Sequence, residues 1–397
     1  MRFLDEEFKM HDRMSTTASE ITDDVQVHRG LAGVYIDHTT ICEIDNDTHK
    51  LRYRGYDIAE LVQLKSFEEV VHLLLYGELP NAMERVLTAD QLALYTTLPQ
   101  QLRQIIELLP QSAEPMAVLR TAVSVLGCET SQTLPTEDEC RQAALGLVAQ
   151  FPLILGAFEA HRKSQPAPLP CRDTPHAHRV LSQLTGNPEP EAQDVVIMDK
   201  LLVIHAEHEL NASCFSARVT ASTLSDPYAA ITSAIGTLSG ALHGGANERV
   251  LENAEKVGEP SRADDFVAEV LARKSKIHGF GQRGCKAEDP RAVILRGIAE
   301  ELATRKNDRR ILDILFALDT AMRKRRDIWP NVDFYSASIL YNLGIPKDLF
   351  TPLFACSRVI GWSAHILEQW RDNRLLRPKA KYVGLPYRPV PSAETNR

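Results

Sequence analysis

Residues 66–80 read Ser66-Phe67-Glu68-Glu69-Val70-Val71-His72-Leu73-Leu74-Leu75-Tyr76-Gly77-Glu78-Leu79-Pro80. Ser66 and Glu69 have the spacing of a capping box, in which the hydroxyl accepts from the third helical amide and the carboxylate reaches back. An apolar run follows, and Gly77 and Pro80 stop it. Thr88 with Gln91 and Thr136 with Glu139 repeat the start signal. Helical patterning covers 89–97, 100–109, 115–126, 137–162, 192–223, 227–241, 261–274, 290–304, 308–324, 334–342 and 347–373. Only one stretch reads differently. Val34, Ile36, Ile41, Ile44 and Leu51 interleave with polar residues around Asp45-Asn46-Asp47-Thr48, which predicts a small N-terminal β-hairpin. Residues 164–176 carry four prolines and read as a loop, and the C-terminal tail reads as extended. The chain is therefore expected to be all-α apart from that hairpin. No GxGxxG or GxxxxGK[ST] phosphate loop follows a strand, which argues against a Rossmann domain.

Composition sets wider bounds. The 397 residues predict about two or three domains. Hydrophobic residues at 44% and charged residues at 25% exclude a disordered or collagenous chain. The formal charge of −8 makes general nucleic-acid binding a poor reading. Arginines gathered in one cleft could still hold anions, because local fields matter more than the sum. No run approaches the length of a membrane span, so no membrane partner is expected. Met1 to Val25 lacks the pattern of a secretory signal or a transit peptide. Seven cysteines are scattered without a CxxC pair, which predicts free thiols and a cytoplasmic setting.

Five clusters carry possible chemistry. In His205-Ala206-Glu207-His208-Glu209 the two histidines are three apart and can share a helix face. The pattern fits neither HExxH nor HxxEH, so no metal is expected, and packing and substrate roles stay open. His243 sits beside Gly244 and Gly245, where a ligand can approach closely, or where a helix simply begins. The loop Gly279-Phe280-Gly281-Gln282-Arg283-Gly284-Cys285-Lys286, preceded by Lys274 and Lys276, suits a phosphate-rich ligand or is a solvated basic loop. Asp333, in Trp329-Pro330-Asn331-Val332-Asp333, is a helix cap or a partly buried carboxylate base. Asp289-Pro290-Arg291 follows the Gly279 loop, and Arg358 and Arg377 lie near apolar residues, which suits bidentate carboxylate binding or an ordinary place at the surface.

Taken together, from about Gly30 to Gly384, these motifs resemble the citrate synthase family. The resemblance rests on Tyr53-Arg54-Gly55-Tyr56-Asp57, His205–Glu209, Leu242-His243-Gly244-Gly245-Ala246-Asn247-Glu248, Gly279-Phe280-Gly281, Asp289-Pro290-Arg291, Pro330–Ser336 and Arg377-Pro378-Lys379. The wording is that of the shorter bacterial and archaeal branch, which includes 2-methylcitrate synthases. The resemblance implies a two-domain helical homodimer. Residues 1–28 would be a tail, 29–233 with 343–397 a large domain, and 234–342 a small one. It implies condensation of an acyl-CoA with oxaloacetate or a related 2-oxo acid, with water, to a tricarboxylate and free CoA. No cofactor would be bound permanently; acyl-CoA is a co-substrate. His243, Gln282 and Asp333 would be catalytic. His208, Arg291 and Arg358 would hold the 2-oxo acid, with Arg377 reaching it from the partner subunit. Lys276, Gly279, Phe280, Gly281 and Lys286 would contact coenzyme A.

One cluster departs from the family at three positions. Where the pattern has Gly-Phe-Gly-His-Arg-Val-Tyr-Lys, this chain has Gln282, Gly284 and Cys285. The family histidine donates to the ketone oxygen. Gln282 can donate through its amide but does not titrate. The lost bulk at Gly284 and Cys285 favours a longer acyl chain. The alternative is a catalytically weak dimer that binds oxaloacetate or CoA in a regulatory role.

Overall fold

A computed structural model of the chain describes residues 26–31, 33–45, 47–129, 135–281 and 288–390. It divides into two units, 39–376 and the termini 1–38 with 377–397. In the terminal unit, Arg29–Leu31 form one 3-10 turn and 377–390 hold neither helix nor strand.

The larger unit is helical, as the sequence predicts. It opens with β1 (Cys42–Asp45) and β2 (Lys50–Tyr53), the predicted hairpin, paired antiparallel with Cys42 opposite Tyr53. A two-residue strand, β3 (Tyr56–Asp57), adds to the edge. Next come α1 (Ile58–Leu64), α2 (Phe67–Tyr76), α3 (Ala82–Leu94), α4 (Gln100–Leu108), α5 (Pro115–Gly127) and α6 (Glu137–Lys163). Then α7 (His176–Thr185), α8 (Ala192–His205), α9 (Ala212–Ser222), α10 (Pro227–Leu238) and α11 (Ala246–Val257) follow. The described helices end with α12 (Ala263–Ala272), α13 (Pro290–Arg305), α14 (Arg310–Arg326), α15 (Val332–Asn342) and α16 (Phe350–Arg371).

Both full capping boxes expected at Ser66 and Thr136 are present. Ser66 N–H donates to Glu69 at 3.0 Å, and Thr136 N–H to Glu139 at 2.7 Å. The start signal expected at Thr88 is not a helix start. Asn81 and Glu84 form the box that begins α3, and Thr88 lies inside, its hydroxyl donating to Glu84 O. Stronger local capping seven residues earlier wins.

The core forms around α6 and α16. α6 packs against α3, α4, α5, α7 and α16, and α16 also touches α2, α8, α9, α10 and α11. Among the described residues α6 alone is long and apolar enough to cross a membrane, but most of its apolar length is buried in this core. Helices α11–α15 pack chiefly on one another and meet the rest mainly through α11 on α16 and α13 on α1, with Arg305 of α13 also paired to Asp194 of α8. Residue 234 falls within α10, which packs with α5, α9 and α16, so the change of packing partner comes after Leu238.

Candidate active site

The His205–Glu209 motif does not lie on one helix. α8 ends at His205, residues 206–211 break away, and Glu209 takes a left-handed φ of 50°. The cause is tertiary. Arg358 Nε takes the His205 carbonyl at 2.7 Å, and the buried Tyr53 hydroxyl lies 2.9 Å from Glu207 O and 3.1 Å from Ile204 O. With their carbonyls held from outside, these residues need no further helical turn. The histidines therefore part. His205 Nδ1 turns back to Leu201 O at 2.8 Å and its ring packs edge-on to Phe354. Burial pulls its pKa down to about 3. His208 projects from the break, where burial and then Arg291 hold it neutral, well below the usual histidine range.

Arg291 begins α13 and is buried. Asp289 caps the same helix and takes the guanidinium in two bonds, Nε at 3.1 Å and Nη2 at 2.8 Å. Burial works against the Arg291 charge, but Asp289 more than offsets it and raises the pKa. That geometry leaves the Nη1 side for a ligand. Arg358 is 1% exposed. Phe354 lies under its guanidinium at 4.5 Å, and its Nη2 has no hydrogen-bond partner among the described residues. A buried guanidinium nitrogen left open is a strong donor site for a carboxylate.

His243 sits in the turn before α11, with Gly245 at the N-cap. Its Nε2 accepts the backbone N–H of Ser213 at 3.2 Å and lies 2.8 Å from the Ser213 hydroxyl. The Trp362 indole donates to that hydroxyl at 3.1 Å. A backbone amide only donates, so this bond selects a bare Nε2 with the ring hydrogen on Nδ1, whereas the Ser213 hydroxyl, whose own hydrogen goes to Asn211 Oδ1 at 2.8 Å, selects the opposite form. Burial, then Arg358, lowers its pKa to about 4, so it is a neutral donor at physiological pH.

Asp333 is not a cap. Asn331 caps α15 by accepting from Asp333 N–H at 3.0 Å, so the Asp333 carboxylate is released from that duty. It takes no side-chain hydrogen bond among the described residues. Burial raises its pKa to about 6, against the opposing pull of Arg291. A base close to neutrality is suited to taking a proton from carbon.

Phe280 bridges Pro330, Gly281 N–H donates to Trp329 O at 2.9 Å, and Asn331 N–H donates to Gly279 O at 2.9 Å. The 279–281 segment is thus laced to the turn that presents Asp333. Gly279 has φ +85°, and a Cβ there would lie 2.8 Å from the Phe334 ring.

The structure thus brings His208, His243, Arg291, Arg358 and Asp333 into one electrostatic field: Asp333 and His208 both feel Arg291 and Arg358, and His243 feels Arg358. Lys276 is exposed, and Arg377 is exposed in the terminal unit. Gln282 and Lys286 lie outside the described residues. Sequence reasoning gave no role to Ser213, Trp362, Asp289, Glu207 or His365. Asp289 alone had a local signal, an Asp-Pro pair at a helix start. No cluster of three or more His, Cys, Asp or Glu that could hold a metal occurs among the described residues.

Comparison with known proteins agrees with this architecture. Residues 30–379 match the family model "Citrate synthase, C-terminal domain". Citrate synthase 2 of Bacillus subtilis is 42% identical over 359 residues, covering 90% of this chain and 95% of the relative. The 2-methylcitrate synthase 1 of Corynebacterium glutamicum is 39% identical, covering 92% and 98%. Among solved structures, citrate synthase from Thermotoga maritima superposes with a TM-score of 0.85 at 34% identity, covering 94% and 99%. The Thermoplasma acidophilum citrate synthase, in a ternary complex with carboxymethyl coenzyme A and oxaloacetate, gives 0.88 at 30%, covering 94% and 100%.

The fold and these relationships define a helical condensing enzyme of the citrate or 2-methylcitrate synthase type. The chain belongs to the citrate synthase family.

Proposed function

We propose that this enzyme condenses an acyl-CoA with oxaloacetate, and that Asp333 and His243 carry the first step. The observation that carries the reading is the pairing of an unengaged carboxylate near pKa 6 with a neutral imidazole whose Nδ1 takes no hydrogen bond among the described residues. Asp333 takes a proton from the α-carbon of the acyl group. His243 Nδ1–H donates to the thioester oxygen as the enolate forms, in the manner of an oxyanion hole. The enolate carbon attacks the ketone carbon of oxaloacetate. Water then cleaves the thioester, giving a tricarboxylate and free CoA. Arg291 Nη1, Arg358 Nη2 and His208 would take the oxaloacetate oxygens. Gln282 would donate its amide N–H to the ketone oxygen, giving polarisation without a titrating acid.

Glycine-laced residues 279–281, with Lys276 and Lys286, are assigned to coenzyme A. The two-domain reading is supported by the separate packing of α11–α15, with the change of packing partner after Leu238. A homodimer completed by Arg377 of the partner subunit, and a cytoplasmic setting consistent with dispersed cysteines, complete the proposal. Loss of bulk at Gly284 and Cys285 supports propionyl-CoA over acetyl-CoA. Equal or better turnover of acetyl-CoA would overturn that preference. The second reading, a weak enzyme acting as a binding protein, is favoured by Gln282 alone. Thiol release from a panel of acyl-CoAs, with Gln282→His beside the parent, separates the two. A binding protein would show no release while oxaloacetate still raises its Tm.

A further inference from the structure

One face of α16 runs along the 206–211 break and the helix ends that flank it, from His205 to Ser213. Arg358, Gly361, Trp362 and His365 follow at helical spacing, so they share that face. Each meets a part of this stretch. Arg358 Nε bonds His205 O, and Trp362 Nε1 bonds Ser213 Oγ. A Cβ at Gly361 would overlap both the Ala206 carbonyl and the Glu207 carboxylate. His365 Nε2 lies 3.0 Å from Glu207 Oε1, and both side chains are completely buried. The mechanism above uses neither of them.

A buried carboxylate needs a cation, and breaking such a pair leaves a charge that will seek another. Two basic side chains on this face act on Glu207, whose carboxylate lies against Gly361 between them. One is His365. The other is Arg358, on which Glu207 is the largest favourable charge, partly offsetting the burial that lowers its pKa. In the structure Glu207 takes His365, and Arg358 Nη2 stays without a partner among the described residues.

We propose that His365 is a positioning residue for the 2-oxo acid site: it engages the Glu207 carboxylate, keeps it from Arg358, and so leaves Arg358 free to bind a carboxylate of the substrate. The inference rests on the proposed function. It makes His365 a guard of affinity rather than a participant in the chemistry. Without His365, Glu207 would turn toward Arg358 and compete with the incoming dicarboxylate for the same guanidinium. The same bond holds the residue next to His208 in place.

The test is oxaloacetate binding by calorimetry to the full chain, with steady-state kinetics alongside. His365→Leu should weaken oxaloacetate binding and raise its KM by about tenfold or more, with kcat at saturating oxaloacetate within about threefold. Adding Glu207→Gln to His365→Leu should restore affinity to within about threefold of the parent, because the competing charge is gone. A merely structural pair predicts the opposite, a double variant no better than the single one, and that result overturns the proposal. Should His365→Leu not fold, Glu207→Gln alone decides. It should bind oxaloacetate about as well as the parent, and a loss beyond about tenfold overturns the proposal. A parent that binds no oxaloacetate brings down the proposed function itself. A parent that binds it equally with and without His365 brings down this inference alone.

Discussion

The backbone N–H of Ser213 donates to Nε2 of His243 at 3.2 Å, and this bond favours an imidazole proton on Nδ1. A side-chain donor could rotate or exchange roles. An amide cannot, so the start of α9 selects Nδ1–H wherever this bond outweighs the Ser213 hydroxyl. Removing the ring by His243→Ala should lower kcat by about 10²–10³. Nitrogen NMR of the parent should show Nδ1 protonated and Nε2 bare. A protonated Nε2 at neutral pH would contradict the assignment.

Asp333 gives the pH dependence. Its pKa is raised to about 6, and the base must be ionised to act. The rate of enolate formation should therefore fall about tenfold per pH unit below pH 6, where an ordinary aspartate would hold the rate constant to about pH 4. His243, at about 4, stays neutral through that window and adds no second limb there. A kcat/KM profile for the acyl-CoA that is flat down to pH 4.5 would count against Asp333 as the base.

The same shift has a stability consequence of known sign. A carboxylate whose folded pKa is raised destabilises the fold when ionised, so its cost is present above about pH 6 and absent below the unfolded value near 4. Asp333→Asn should raise Tm at pH 7.5, and the gain should vanish toward pH 4. Activity and stability are opposed at this position.

Asp289 and Arg291 form a buried bidentate pair, with side chains 2% and 4% exposed. Asp289→Ala should cost about 3–5 kcal/mol in urea unfolding, because it strands the guanidinium. It also removes the cap of α13.

Gly279→Ala should disturb the site through its backbone. The position has φ +85°, and the added carbon would press on Phe334, one residue beyond Asp333. A drop in kcat together with a lower Tm is expected. Gly297→Ala, in open space within α13, should change neither greatly.

Much of this was legible in the chain. The boxes at Ser66 and Thr136 are local devices, and local signals survive into the fold. The residues of the site were legible because each stood in a distinctive short motif. What was hidden depends on distant partners. The break after His205 is made by Tyr53 and Arg358, each about 150 positions away in the chain. The Glu207–His365 pair joins residues 158 apart. The helices α1 and α7 were missed because they begin beside a short strand and a proline-rich loop, without a capping box. No periodicity announces which polar side chains will meet once α8, α9 and α16 pack.

The most direct measurement is free-thiol release with oxaloacetate and an acyl-CoA, parent against Asp333→Ala. The account predicts steady release from the parent with acetyl-CoA or propionyl-CoA, and a loss of about 10²–10⁴ in Asp333→Ala with the fold intact. No release from the parent with either thioester, or undiminished release without the Asp333 carboxylate, would contradict it.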